Sequence, residues 1–412
     1  MNDPSDPKNP REASPFLGHE DPAREVSRAS VAVEKDAGRP ARLVAKRPKR
    51  RRSPKHHTRR KVAFFHYHHY DVAFKFFTEQ VLDAEFVALP PATRRSLEAG
   101  SRHSSDYVCA PFKHILGDYL DALELGADVL VQFAGPCRLG YYGELQESIL
   151  RDMGYDFDML NFSTLSGKPP LDYVRACKEK VNPNISLPAG VVNLAATAKM
   201  VRFLDEAYDY YLAHAAFAVE KGAFERTLAD YYRAMGKVTC DREIVQVQRR
   251  AMAAFEAIPV EMPANRVRVG VVGEFFTAVD PHSNLEVEKK LIAMGVELHR
   301  MVNLTNRYLR YDEAELRQEA APYVTYDMGP TSTMTCAAAL RYARAAYDGL
   351  VHLKSSGCTP EIDCVPTLQR ISSDLHIPVL YLSYDSQTSD TGLDTRLEAF
   401  YDMLAMKKEE AR

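Results

Sequence analysis

The sequence lacks the cysteine pairs and the long apolar runs that would place it in several common classes. Its seven cysteines include no pair of the C-x-x-C type. In a reducing compartment this argues against a disulfide framework and leaves free thiols or metal ligands. No run of 18 or more apolar residues occurs, so no membrane-spanning helix is expected. The first residues, MNDPSDPKNPREASPF, contain no apolar core of a secretory signal, which favours a cytoplasmic chain.

Nucleotide-binding fingerprints are also missing. No G-x-G-x-x-G follows a strand-like segment, and the Ser166-Gly-Lys168 triplet is followed by Pro169 without the upstream glycine of a phosphate-binding loop. These loops need glycine because the backbone must approach the phosphates closely. Any ATP used by the system is therefore expected to bind to another protein.

Charge is unevenly distributed. Residues 1–60 carry 16 Lys and Arg against 8 Asp and Glu, a net charge of +8, so a total of −3 leaves −11 for the rest. The segment is rich in proline and charge and poor in apolar residues, which is typical of a disordered extension. A basic segment can bind nucleic acid, but no aromatic residues for base stacking are interleaved with its basic run, so nucleic acid is not the favoured partner.

From residue 61 onward, strand-like and helix-like segments alternate. Buried strands are indicated at 62–67, 85–89, 127–133, 156–162, 266–273, 296–302, 349–353 and 377–382. Helices are indicated at 71–81, 112–125, 141–153, 201–219, 223–235, 241–257, 284–294 and 395–407. Strands that alternate with helices predict an α/β architecture with parallel sheets. Residues 187–258 show almost no strand signal and are expected to be helical.

The pattern predicts two Rossmann-like lobes joined by a helical segment. The expected divisions are a disordered basic extension at 1–60, a first α/β lobe at 61–186, a helical segment at 187–262 and a second α/β lobe at 263–412. Ligands of such folds bind beyond the carboxyl ends of the parallel strands.

Three cysteines occupy similar places in this pattern. Cys137 and Cys358 each follow a predicted strand and precede a helix, and Cys109 also comes just before a helix; each has a proline within two residues. Helix starts present N–H groups and a positive dipole end, which favour the thiolate form that binds metals. The alternative is that each is a small buried apolar residue.

The remaining cysteines are less informative. Cys177, Cys240 and Cys336 lie in helical contexts and are interpreted as packing residues. The pattern leaves Cys364 ambiguous, because it lies six residues after Cys358 and can approach the same space. A zinc site that also uses His114 or His352 stays open, although the close ligand pairs of structural zinc sites are absent. Three isolated thiolates suit an iron–sulfur cluster with one iron open to substrate or solvent.

Several motifs together resemble the 2-hydroxyacyl-CoA dehydratase D-component superfamily, in particular the branch related to acyl-CoA dehydratase activases (CoA-substrate-specific enzyme activase-like proteins). The matching motifs are CAPFKHILG (109–117), GPCRLGYYG (135–143), VGEFF (272–276), DPHSNLEVE (280–288), GCTPE (357–361) and Asp385 with TRLEAF (395–400). Their order and spacing cover residues 61–404, whereas the basic extension lies outside the resemblance.

The resemblance implies an iron–sulfur protein. Cys109, Cys137 and Cys358 would hold a [4Fe–4S] cluster, with a double-cubane cluster as the alternative. The partner would be a separate ATP-hydrolysing activator or a related dehydratase subunit, and the substrate would be an acyl-CoA. The resemblance is also compatible with a dimer. Arg138 either pairs with the cluster or a CoA phosphate or bridges the lobes; Glu274 either lines the cleft or caps the next turn.

Three functions remain open at this point. The first is a lyase of the 2-hydroxyacyl-CoA dehydratase type or an ATP-dependent reductase component. The second is a non-catalytic scaffold or electron relay that docks to such an enzyme. The third, supported only by the basic extension, is association with nucleic acid.

Overall fold

A computed structural model of the protein describes residues 59–91, 93–133, 142–162, 168–385, 388, 390 and 392–410. The basic extension falls almost wholly outside these ranges, so its disorder stays a prediction.

Two four-stranded sheets organise the described residues, and all of their strand pairings are parallel. The first sheet has the order β2-β1-β3-β4, with β1 Lys61–Phe64, β2 Glu85–Phe86, β3 Val129–Gln132 and β4 Asp158–Asn161. The second has the order β6-β5-β7-β8, with β5 Arg268–Gly273, β6 Glu297–Arg300, β7 Gly349–Ser355 and β8 Val379–Tyr384. The predicted α/β class with two Rossmann-like lobes is confirmed.

Helices surround both sheets and fill the segment between them. In the first lobe they are α1 Asp71–Phe76, α2 Arg94–Arg102, α3 Ala110–Glu124, α4 Tyr142–Asp152 and α5 Pro170–Lys180. The joining segment consists of α6 Leu187–His214, α7 Ala223–Met235 and α8 Asp241–Glu256. The second lobe has α9 Phe275–Val279, α10 Val287–Ala293, α11 Glu313–Ala320, α12 Pro330–Arg344, α13 Thr359–Asp363, α14 Val365–Leu375 and α15 Leu393–Glu410. None of these helices is long and apolar enough to cross a membrane.

The central strands are buried on both faces. Val129, Leu130 and Val131 of β3 are completely buried, as expected for a parallel strand covered by helices on both sides. At the end of β5, Gly273 has φ +134°, and a Cβ atom there would lie 1.9 Å from the carbonyl oxygen of Leu353. Only glycine allows β5 and β7 to end this close together.

One buried carboxylate connects both lobes to the helical segment. Asp205 of α6 accepts a hydrogen bond from the Tyr70 hydroxyl of the first lobe and one from the Thr305 backbone N–H of the second, the latter at 2.9 Å. The Tyr70 hydroxyl also accepts from the Leu304 N–H at 3.0 Å. Asp205 and Tyr70 are 3% and 0% exposed, so this junction excludes water.

A second buried network fixes the helical segment to the second lobe. Arg300 of β6 is 1% exposed and donates to Glu288 of α10 at 3.0 Å. Tyr208 of α6 donates to the same carboxylate at 2.7 Å, and its ring lies 4.9 Å from the guanidinium. Because a buried charge must be paired, this contact specifies how α6 packs on the lobe.

Candidate metal centre

Cys109 and Cys358 each lie immediately before a helix, as the sequence predicts. Cys109 is the N-cap residue of α3, Cys358 is that of α13, and each helix has a proline in its first two positions. Cys109 belongs to the first lobe, and Cys358 follows β7 of the second lobe.

The two cysteines meet where the lobes touch. The Ala110 N–H donates to the Ser355 hydroxyl oxygen at 2.9 Å, which joins the start of α3 to the end of β7. A Cβ atom on Gly357 would lie 3.7 Å from the Cα atom of Cys109. The Cys358 thiol is also close enough to Cys109 for the charges of the two groups to interact. The structure therefore brings together one predicted ligand from each lobe.

The third predicted ligand cannot be placed in the same way. Cys137 and Arg138 belong to residues 134–141, which lie outside the described residues, so their predicted roles stay predictions. Tyr142 is the first described residue after this segment, and its hydroxyl contacts the half-buried thiol of Cys109.

The environment of Cys358 opposes the thiolate form. Burial raises the pKa of its thiol, and the nearby carboxylates of Glu274 and Glu361 raise it further. The Glu361 N–H at the start of α13 lowers the pKa of this thiol, as expected of a helix start, but burial and the two acids outweigh it. A bound cation would act in the opposite direction, since metal coordination deprotonates a thiol.

Glu274 caps a helix and also lies near the thiol. It is the N-cap residue of α9, and its carboxylate accepts hydrogen bonds from the N–H groups of Phe276 and Thr277 at 2.7 and 2.8 Å. Burial raises the pKa of Glu274, although these hydrogen bonds lower it in part. The capping interpretation is confirmed, and its effect on Cys358 shows that the carboxylate also faces the cysteine site.

A buried cluster of histidine and aspartate side chains lies at the same boundary between the lobes. The His66 ring contacts Asp71 at 2.5 Å, and the His66 backbone N–H donates to Asp118 at 3.0 Å. His114 of α3 and Asp280 of the second lobe interact electrostatically. One ring nitrogen of His114 and one carboxylate oxygen of Asp280 have no hydrogen-bond partner among the described residues.

The pKa values in this cluster diverge. Burial lowers the pKa of His66, but hydrogen bonding to Asp71 and the charges of Asp71, Asp280 and Asp118 raise it overall. Burial lowers the pKa of His114, with partial compensation by Asp280, and burial raises that of Asp118 well above its usual value. The boundary thus holds neighbouring proton donors and acceptors with different affinities, an arrangement common at functional sites. The sequence analysis does not identify this cluster.

A second group of metal-binding residue types is buried inside the second lobe. The ligand atoms of His352, Glu361 and Cys364 lie within 4.8 Å of one another, and all three residues are completely buried. Cys364, whose role the sequence leaves open, therefore lies with His352. This arrangement can hold a metal ion.

The cysteines interpreted as packing residues have three different environments. Cys177 is buried in α5, and burial raises its pKa to about 11. Cys336 is completely buried in α12, and its thiol raises the pKa of Cys364. Cys240 is exposed at the N-cap position of α8, so the packing interpretation is wrong for this residue.

Comparison with known proteins assigns no family, because the chain matches no protein-family model and no curated protein is similar to it in sequence. The resemblance to the 2-hydroxyacyl-CoA dehydratase superfamily rests on the motifs alone.

Proposed function

We propose that this chain is an iron–sulfur protein of the 2-hydroxyacyl-CoA dehydratase type. In this proposal it accepts low-potential electrons from a separate ATP-hydrolysing activator and uses them for radical dehydration or reduction of a CoA thioester or small molecule. One observation carries the proposal: Cys109 and Cys358 come from different lobes, each precedes a helix, and they meet at the lobe boundary.

Cys109 and Cys358 at this boundary are thiols of the kind that hold iron–sulfur clusters. Together with Cys137, which lies outside the described residues, they would supply three thiolates to a [4Fe–4S] cluster and leave one iron without a cysteine ligand. A cluster of this kind supplies single electrons to a bound substrate. The surrounding carboxylates disfavour a free thiolate at Cys358, and this cost is removed only when a cation binds the sulfur.

The histidine and aspartate cluster would handle protons in the same reaction. His114 lies on the helix that begins after Cys109, and Asp280 follows the helix that Glu274 caps. Removal of a hydroxyl group as water needs a proton donor, and His66, with its raised pKa, can be protonated near neutral pH. Burial of these groups excludes water from the site.

Metal analysis of anaerobically purified protein tests the proposal. The parent chain should contain about four iron and four acid-labile sulfide per cluster. Cys109→Ser and Cys358→Ser should each lose most of this iron and remain folded, as judged by circular dichroism. Cys177→Ser is the matched control, because Cys177 is a buried thiol in a helix of the first lobe, and its iron content should equal that of the parent. Equal iron in all three variants, or none in the parent, would contradict the proposal.

A further inference from the structure

We propose that His352, Glu361 and Cys364 form a zinc site inside the second lobe, separate from the cysteines at the lobe boundary. The three residues come from β7, from α13 and from the position between α13 and α14. All three are completely buried.

The distances between the ligand atoms are close to those of a tetrahedral site. His352 Nε2 lies 2.7 Å from Glu361 Oε2 and 4.0 Å from Cys364 Sγ, and the last two atoms are 3.4 Å apart. With the usual zinc bond lengths, such ligand atoms lie roughly 3.3–3.6 Å apart. Small side-chain rotations, moving these atoms by less than about 1 Å, therefore suffice to place all three on one ion.

Thr335 of α12 donates to the Glu361 carboxylate at 3.2 Å and would hold its orientation, as outer contacts do in metal sites. The thiol of the next residue, Cys336, lies close enough to Cys364 to interact with it. One thiolate, one imidazole and one carboxylate favour zinc over magnesium or calcium, which prefer oxygen ligands.

The site would stabilise the segment that carries Cys358. Glu361 lies in α13, and Cys358 caps the same helix, so an ion held by Glu361 would fix the direction in which this cysteine points. Three protein ligands leave one position of a tetrahedral zinc ion to a further ligand. The inference does not depend on an iron–sulfur cluster.

Cobalt substitution in the full-length chain tests this site. Metal-depleted protein should bind about one Co²⁺ per chain with the thiolate charge-transfer and visible bands of tetrahedral cobalt. Cys364→Ser should weaken binding by more than about 100-fold, and Thr335→Val by roughly 10- to 100-fold. Cys177→Ser is the control for loss of a buried thiol and should bind cobalt like the parent.

Zinc and iron measured in the same samples separate this site from the proposed cluster. Cys364→Ser should lose zinc and keep iron, whereas Cys109→Ser should lose iron and keep zinc. If Cys364→Ser does not fold, the site is tested by the cobalt spectrum of the parent and by the cobalt affinity of the folded Thr335→Val variant. A folded parent that shows no thiolate–cobalt band, or a Cys364→Ser variant that binds as tightly as the parent, would overturn the inference and leave a hydrogen-bonded network.

Discussion

Replacing Asp205 by alanine removes the carboxylate that joins both lobes to the helical segment. The Tyr70 hydroxyl and the Thr305 N–H then lose their acceptor, and a His69 ring nitrogen at 3.5 Å loses its charged neighbour. Tyr70 and His69 are at most 3% exposed, so water does not replace the lost contacts in the folded protein. Each buried polar group left without a partner costs about 1–3 kcal/mol, so the Tyr70 hydroxyl and the Thr305 N–H together give an expected loss of ~2–6 kcal/mol in the free energy of unfolding.

Urea unfolding followed by circular dichroism and tyrosine fluorescence measures this loss; the chain has 22 tyrosines and no tryptophan. Asp205→Asn should lie between the parent and Asp205→Ala, because an amide keeps one acceptor oxygen but places a donor against another donor. Asp230→Ala is the control, since Asp230 forms a surface ion pair in which both side chains are largely exposed. Its expected effect is below about 1 kcal/mol.

The reasoning is refuted if Asp205→Ala unfolds within about 1 kcal/mol of the parent. Such a result would mean that the lobes are held together by apolar packing alone. If circular dichroism and tyrosine fluorescence give different unfolding midpoints for Asp205→Ala, the lobes and the helical segment unfold separately. This outcome would support the reasoning, because it is expected when the junction is broken.

Three further predictions concern single residues. Gly273→Ala should lower the free energy of unfolding by more than about 3 kcal/mol, because the added methyl group would lie 1.9 Å from the carbonyl oxygen of Leu353 in β7. The control is Gly126→Ala, since Gly126 also has a positive φ but an added methyl group meets no atom within 4 Å. In the same urea assay it should lose about 1–2 kcal/mol. Glu288→Ala should lower the free energy of unfolding by about 3–5 kcal/mol, because the buried Arg300 loses its counter-charge. A decrease in melting temperature no larger than that of a surface variant would contradict this. Burial lowers the pKa of His66, but hydrogen bonding to Asp71 and the charges of Asp71, Asp280 and Asp118 together raise it above its usual value. The stabilisation that protonated His66 provides is therefore complete below about pH 6.5 and is lost as the pH rises through the higher folded value. The difference in unfolding free energy between the parent and His66→Asn should therefore shrink from pH 5.5 to about 8.5, and growth over this range would count against the assignment.

Hydrophobic patterning accounts for most of the fold. The predicted helix at 223–235 coincides with α7, Ala223–Met235, because its apolar residues repeat at helical spacing. The buried strands β3 and β7 were predictable since their apolar runs are continuous. The strand predicted at 85–89 contains only β2, Glu85–Phe86, as it lies at the edge of the sheet and pairs with one neighbour only.

Helices without an apolar stripe were not predictable in this way. α2 has the sequence RRSLEAGSR and no counterpart among the predicted helices; its start is defined by reciprocal hydrogen bonds between Thr93 and Ser96, a local signal that periodicity does not register. α6 begins at Leu187 rather than at Val201, because its first turns are apolar on exposed faces, with Val191 69% exposed, and so give no periodic pattern.

The candidate site was predictable only where local sequence determines it. The placement of Cys109 and Cys358 at helix starts follows from the adjacent prolines, which favour first-turn positions. The contact between His114 and Asp280 depends on how the lobes pack, and no local pattern encodes it. The same holds for the contact between His352 and Cys364, which are brought together by the return of the chain from β7 through α13.

The two lobes share one strand order, and the match extends to helix lengths. α3 and α12 each have fifteen residues, and the strand that follows begins five positions after each helix ends, at Val129 and at Gly349. By their equal order and spacing, the two lobes repeat one arrangement of strands and helices. In this arrangement the counterpart of Cys109 before α3 is Gly329 before α12. Gly329 has φ +84°, a conformation that disfavours a side chain. The second lobe therefore has no side chain at the position where the first lobe has the thiol of Cys109.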